Sequence, residues 1–475
     1  MNHTRIKPYL ILFLLIAAVY WPLAIFQIQY DFLDCWLPWR HFISKSFHNG
    51  IFPLWNPYQQ LGYPIHADLQ GPIFSFENFI TGNLFYTNLF TLQMLVFSYL
   101  LVAAFGMYKL CAFLYKSHKA ALIIALAYVC GGMFIHHLQH FFSIVSFACF
   151  PLSIYFFWQM LQLQKWKYVF GLVPLLTLQF TTGNQTFNII NLHIFVIIAI
   201  IFIFQYYKAQ YTQGIKIILI RCTTLILLTL LCILPILISY WQTKNLVPRY
   251  EGISYEKIIG NSMSLISFSG FFNPFITTQH SDFLDNDPSM TGIFFGYLLL
   301  VSSFGFFIFS KSRYKIFIFA TLLFFILMAL GKNTVFHFFV IKIDPLLGLF
   351  RFPSYYMFYV YFILLLIAGY FLRDIFIGKI EFKKLAYILL GSTVIYTFIF
   401  FFIVFDKGVF FYYFRHFDFR QAFDSMSLSV SFSIAYILVF IFTLLFAILY
   451  IINKIKYFDS YFIYIIQFMK IIVFK

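Results

Sequence analysis

The sequence predicts an all-α, polytopic integral membrane protein with about twelve transmembrane helices. Two observations carry this expectation. Of 475 residues, 62% are hydrophobic and only 10% are charged, too little polar surface for a water-soluble chain of this length. Apolar runs also recur from end to end, each near the ~20 residues a helix needs to cross the hydrocarbon core. Only helices and closed barrels satisfy every backbone polar group in lipid. These runs are continuously apolar rather than alternating, which argues against barrel strands.

The first run follows Arg5 and Lys7 and extends over 9–28. No small-x-small cleavage site follows it, so it reads as an uncleaved first transmembrane helix rather than a signal peptide. Further helices are expected at 91–113, 119–135, 141–162, 168–181, 186–206, 217–239, 291–310, 316–330, 355–372, 385–405 and 429–452. They form a single polytopic membrane domain over 1–475. Between them lie a first outer loop at 29–90, a large outer loop at 240–290, and further outer loops at 331–354 and 406–428. A short basic, aromatic tail at 453–475 suits the membrane surface. The cysteines Cys35, Cys111, Cys130, Cys149, Cys222 and Cys232 show no CxxC spacing and lie mostly in apolar runs. Neither a disulfide framework nor a zinc site follows from them.

The net charge is +16. Such a balance can mark nucleic-acid binding, but here the charges fall between apolar segments. Sorting the loops by parity puts 21 of the 32 basic residues on one side, with only Asp374, Glu381 and Asp459 of the 16 acids. The positive-inside rule makes that side cytoplasmic, with both termini on it, and the protein a multi-pass protein of the cell membrane. The long loops and the other acids lie opposite, so the working face is expected to be the outer one.

The first outer loop is rich in Pro, Gly, Trp and Asn and is expected to be an ordered, turn-rich segment. Asp31 and Asp34 lie three apart just after the first helix. If that helix continues, they share a face, where two carboxylates with Arg40 nearby can activate a hydroxyl or hold a metal. They equally read as the solvated end of a helix. Asp68, two residues after His66, is a candidate second acid or ligand. Gln59 and Gln70 suit hydrogen bonding to a sugar, and equally suit any loop. Three imidazoles, His136, His137 and His140, with Gln139, occupy a short outer turn, and Thr181–Gln185 forms another. Asp282, Asp285 and Asp287 lack the glycine and terminal glutamate of a calcium loop. There is no phosphate-cradling loop and no nucleophile elbow.

Several separated motifs run in order. Asp34-x-x-x-Pro38-Trp39-Arg40 leads to Gly50-x-x-Pro53-Leu54-Trp55-Asn56-Pro57-Tyr58, then Gly62-Tyr63-Pro64 and Asp68. His136-His137-Leu138-Gln139-His140 precedes a helix with Pro151-Leu152. Asn273-Pro274, Asp287-Pro288-Ser289-Met290 with Phe295-Gly296, and Phe350-Arg351-Phe352-Pro353-Ser354 follow. Together they cover most of the chain and resemble the bacterial membrane protein YfhO family, which looks like the C-type glycosyltransferase superfamily. That resemblance implies a membrane glycosyltransferase that takes a sugar from a polyprenyl-phosphate carrier on the outer face. The acceptor would be an envelope glycan, lipid or protein. It also implies an essential acid in the first outer loop, which maps to Asp34 or Asp31, with Asp34 favoured because it belongs to the Pro-Trp-Arg block.

A base beside an acceptor hydroxyl raises its nucleophilicity as the bond forms. The leaving lipid phosphate needs its charge stabilised, by arginine or by a divalent cation. Arg40, Arg249, Lys257 and Arg351 are candidates. Arg351 stands at the mouth of the tenth helix, where it reads either as a bidentate phosphate ligand or as an interfacial snorkelling arginine. The substrate-binding candidates are Arg40, Trp55, Asn56, Gln59, Asp68, Gln139, His140 and Arg351. No metal-ligand set is assigned. The competing expectations are a polytopic transporter or lipid flippase and a non-enzymatic envelope assembly factor. Few mid-helix charges and no internal repeat argue against the first of these.

Overall fold

A computed structural model of the chain describes residues 3–59, 61–68, 71–246, 253–274, 286–405, 437, 439–441 and 443. These residues are mostly helical, and no strand occurs among them beyond a single antiparallel bridge between Asn56 and Tyr63. In chain order the α-helices are α1 (His3–Tyr20), α2 (Leu37–His48), α3 (Phe76–Leu84), α4 (Leu89–Tyr115), α5 (His118–Val129), α6 (Gly132–His136), α7 (Phe141–Leu163), α8 (Trp166–Thr182), α9 (Gln185–Lys208), α10 (Thr212–Thr243), α11 (Tyr255–Ile258), α12 (Tyr297–Phe309), α13 (Lys315–Ala329), α14 (Val335–Ile343), α15 (Met357–Phe376) and α16 (Phe382–Phe405).

A helix occupies each of the first eleven segments expected from the apolar runs. The twelfth, the last outer loop and the tail fall largely or wholly outside the described residues, as do Arg249, Asp282, Asp285 and Gln70. Among the described residues, seven helical segments are long and apolar enough to cross a membrane: Lys7–Ala24, Leu89–Tyr115, His118–His136, Phe141–Leu163, Gln185–Lys208, Thr212–Thr243 and Pro353–Phe376. The apolar helices Tyr297–Phe309 and Lys315–Ala329 are shorter.

The chain divides into two compact units, each assembled from separate stretches. The first comprises Met1–Leu110, His137–Ile258 and Val340–Arg351. In it α7, α8, α9 and α10 pack on one another. Gln93 of α4 donates to the carbonyls of Leu23 and Phe26 and so satisfies the end of the first helical segment, where backbone acceptors lack intrahelical partners.

The first outer loop is more helical than its turn-rich composition suggests. Pro38 lies in the opening turn of α2, where a missing N–H breaks no hydrogen bond. Ile43 and Phe47 on α2 gather with Ile65 and Ile73 into a small apolar core. The Ser44 hydroxyl reaches the carbonyls of Gly82 and Phe85, both at 3.1 Å, and ties α2 to the end of α3.

The second unit comprises Cys111–His136, Ile259–Phe339 and Phe352–Lys475. Its centre is α15, which packs against α5, α12 and α13. Buried Tyr361 sends its hydroxyl to the carbonyls of Ala127 and Tyr128 at 3.0 and 2.7 Å, at the point where α5 ends and its acceptors are free. Asp287 caps the turn Pro288–Thr291 by accepting from the Ser289 N–H and hydroxyl at 2.9 and 2.7 Å. The Asp-Pro-Ser-Met motif is therefore turn chemistry.

Candidate functional site

All ten candidate site residues belong to the first unit, where Asp31 stands at the N-cap of a short π-helix, Phe32–Trp36, and Asp34 lies within it. Tyr30 takes a left-handed conformation, φ +60°, and its carbonyl accepts from the N–H groups of Leu33 and Asp34 at 2.9 and 3.0 Å. One strained residue thus turns the chain out of the first helix and starts the next. Phe32 and Trp36 point inward and are buried. The Trp36 ring packs against Trp39, Phe141 and Phe142, with centroids 5.2–5.8 Å apart. That anchor leaves Asp31 and Asp34 exposed on the opposite side.

Asp31 Oδ2 stands 3.6 Å from Nε2 of His140, an ion-pair separation rather than a direct hydrogen bond. His140 is buried at the start of α7, with its ring beside those of His137 and Phe142. Cys35 directly follows Asp34 in sequence. Burial, then the charges of Asp31 and Asp34, push its thiol up from its ordinary range, which keeps it protonated and unreactive as a nucleophile. Burial and then the Asp68 carboxylate likewise push up the Tyr63 phenol, which also feels Cys35. Asp31, Asp34, Cys35, Tyr63 and Asp68 thus form one chain of electrostatic neighbours.

Arg40 is placed differently from a ligand-facing cation. It is 1% exposed, and its guanidinium makes a two-pronged bond to Glu77 of α3, at 2.9 and 3.1 Å. It also donates to Asn78 Oδ1 at 3.4 Å and lies over the Phe141 ring at 4.3 Å. Sequence reasoning passed over Glu77, the only glutamate of the first outer loop. That singularity was the available signal.

Asn56 and Gln59 bond to each other, Asn56 Nδ2 donating to Gln59 Oε1 at 3.0 Å, while Asn56 Oδ1 accepts from the Tyr58 N–H at 3.0 Å. The Asn56–Tyr63 backbone bridge closes the same turn. Gly62 has φ +96° with the Trp55 indole packed on it, so that a Cβ there would stand 2.7 Å from Trp55 Nε1. The Trp-Asn-Pro-Tyr and Gly-Tyr-Pro blocks therefore build a hairpin from an Asx turn and a left-handed glycine. Trp55 keeps about half its surface open. Asp68 and Gln139 are half-buried.

Arg351 and Lys257 are exposed. The Val340–Arg351 stretch is held to the first unit by a pair the sequence reading missed. His193 Nε2 on α9 lies 2.7 Å from Asp344 Oδ2, and its Nδ1 lies 2.8 Å from the Ile189 carbonyl. Asp344 also caps the turn Pro345–Gly348.

Helices α7 and α8 carry a further polar feature. Ser143, Thr177, Thr182 and Gln179 Oε1 are buried without a hydrogen-bond partner among the described residues. No group of three His, Cys, Asp or Glu side chains converges among the described residues to hold a metal ion, so no step is derived through one. No protein-family model matches the chain, and no curated protein matches it at significant similarity.

Proposed function

We propose that the protein is a multi-pass cell-membrane glycosyltransferase with about twelve spans and both termini cytoplasmic. In this reading it moves a sugar from a polyprenyl-phosphate carrier to an envelope glycan, lipid or protein on the outer face. The observation that carries it is the exposed pair Asp31 and Asp34, projecting from a π-helix whose opposite side is anchored by buried Trp36. A carboxylate on such a mount is fixed in direction yet open to an acceptor.

Asp34 acts as general base. It takes the proton of the acceptor hydroxyl as the new C–O bond forms, while the bond from the sugar to the lipid phosphate breaks and the phosphate leaves with the electron pair. His140, 3.6 Å from Asp31, fixes the second acid beside the first. Arg351, exposed at the end of the Val340–Arg351 stretch, is the cation for the leaving phosphate. Arg40 supports the mount, and Asn56 and Gln59 support the hairpin that carries Trp55 and Tyr63.

A second reading, translocation of a lipid-linked substrate, is favoured by the buried polar atoms of Ser143, Thr177, Gln179 and Thr182, since polar groups within membrane helices mark substrate pathways. Mass spectrometry of envelope glycans separates the two. The strains to compare are the parent, a deletion, Asp34→Asn and Asp31→Asn, at matched membrane levels. A sugar lost in the deletion and in Asp34→Asn supports transfer. A sugar lost in the deletion and retained in both Asn variants refutes these acids as the base and leaves translocation.

A further inference from the structure

The first unit carries a strongly basic region with no acid to balance it. Between Glu77 and Glu251 the chain has no Asp or Glu. From position 109 to 221 the first unit bears Lys109, Lys165, Lys167, Lys208, Lys216 and Arg221, and none of them makes an ion pair among the described residues. Five are solvated or lie over aromatic rings, as long cationic side chains commonly do.

Arg221 is different. It sits on the buried stripe Gly214, Ile218, Arg221 and Leu225 of α10, the helix that packs along α8. Arg221 is only 8% exposed. Its Nε and Nη1 are buried and have no hydrogen-bond acceptor among the described residues. Its guanidinium carbon lies 5.4 Å from the centroid of the Trp166 ring at the start of α8. An arginine stays charged in any protein setting, and a buried charge without a partner is strongly unfavourable. No counter-anion stands here among the described residues, which leaves a site that an external anion can complete.

The level of the site identifies the anion. Arg221 lies five residues beyond Lys216, about 7.5 Å along the helix. Trp166 is 43% exposed between Lys165 and Lys167, in the manner of an indole at a membrane interface. A guanidinium at indole depth with ammonium groups above it matches the phosphodiester of a phospholipid. Basic pockets between membrane helices on the cytoplasmic side take anionic headgroups.

We infer that Arg221, Trp166 and Lys167 form a binding site for the headgroup phosphate of an anionic glycerophospholipid, in the leaflet that the charge distribution makes cytoplasmic. The lipid phosphate accepts from Nε and Nη1 of Arg221, the Trp166 ring covers the guanidinium, and the acyl chains run along the exposed face of α10. This inference rests on the membrane-spanning reading of the chain but not on sugar transfer.

Alkaline carbonate extraction comes first, because release of the protein would overturn the membrane reading itself. Retained, full-length protein is then purified in a neutral detergent and examined by native mass spectrometry with phosphatidylglycerol, phosphatidylcholine or sodium phosphate added. Wild type should hold a phosphatidylglycerol adduct through gas-phase activation that strips phosphatidylcholine. Arg221→Gln should lose it by about fivefold or more, and Arg221→Lys should retain part. A sodium phosphate adduct that competes with phosphatidylglycerol would assign the site to a soluble anion and overturn the lipid. Equal adducts on wild type and Arg221→Gln, or equal adducts of the two lipids, would overturn the site. Should Arg221→Gln fail to fold, Trp166→Leu reads the same headgroup cover, and an undiminished adduct there counts against it.

Discussion

Exchanging Glu77 for glutamine tests whether Arg40 serves the mount or the substrate. The wild-type pair is bidentate at 2.9 and 3.1 Å, with side-chain exposures of 1% and 10%. Removing one partner from such a buried pair leaves an uncompensated charge, which costs about 3–5 kcal/mol. The Phe141 face and Asn78 remain to hold the guanidinium, and the ring contributes about 0.5–2 kcal/mol, so a loss nearer 3 than 5 kcal/mol is expected. Replacing both partners by apolar residues of similar volume, Arg40→Met with Glu77→Leu, should recover most of it, because the desolvation of two charges disappears with their attraction. The assay is the fraction of monodisperse protein after heating in detergent, set beside the envelope sugar in the same strains. Glu77→Gln should lower the midpoint and the double variant should restore both stability and transfer. A double variant as stable as wild type that makes no product would refute this reasoning and return Arg40 to the substrate site.

Further outcomes follow from the same geometry. Asp34→Asn should lower transfer by about 10²–10⁴, the usual contribution of a positioned base, at unchanged membrane levels; a loss under threefold counts against it. Gly62→Ala places a Cβ on Trp55 at φ +96° and should weaken the first-loop hairpin by about 1–3 kcal/mol, read as faster protease nicking near position 60. Asp344→Asn should loosen the Val340–Arg351 stretch; with both partners about one-third exposed, roughly 1 kcal/mol is expected, and unchanged proteolysis there would refute it. Burial lowers His337 in the second unit to about 4. The unfolded ring binds its proton near pH 6.5, so stability is complete above that value and falls by about 3 kcal/mol as pH drops towards 4. His337→Gln should flatten this dependence, which acid melting curves can check.

The long apolar helices were legible because the requirement that lipid would impose falls on composition. A backbone that cannot bond to water must lie in a long apolar run, and Leu89–Tyr115 or Gln185–Lys208 can be read from that alone. The first outer loop was harder. Its Pro38, Gly50 and Pro53 signal turns, yet Pro38 begins a helix, and its apolar face becomes evident only when Ile43 and Phe47 meet Ile65 and Ile73. Asp31 and Asp34 could be found by spacing, but which way they face depends on Trp36 meeting α7, more than a hundred residues later. Asn56 and Gln59 have the chemistry of sugar ligands and spend it on each other, because an amide three residues from another in a tight turn meets it before any substrate does. Glu77 and Asp344 escaped for the same reason. Their partners, Arg40 and His193, lie 37 and 151 residues away, and a single sequence carries no sign of such distant pairings.

The first unit is not finished when its main stretch leaves the ribosome. Residues 259–339, assigned to the second unit, must be made before Val340–Arg351 emerges. At 5–20 residues per second that is a wait of roughly 4–16 s. During this interval α9 presents His193 without its carboxylate, and Arg351 does not yet exist. Premature termination anywhere before position 340 would therefore damage the earlier-made half of the protein as well as the later one. Genetic lesions far downstream should mimic lesions in the first outer loop.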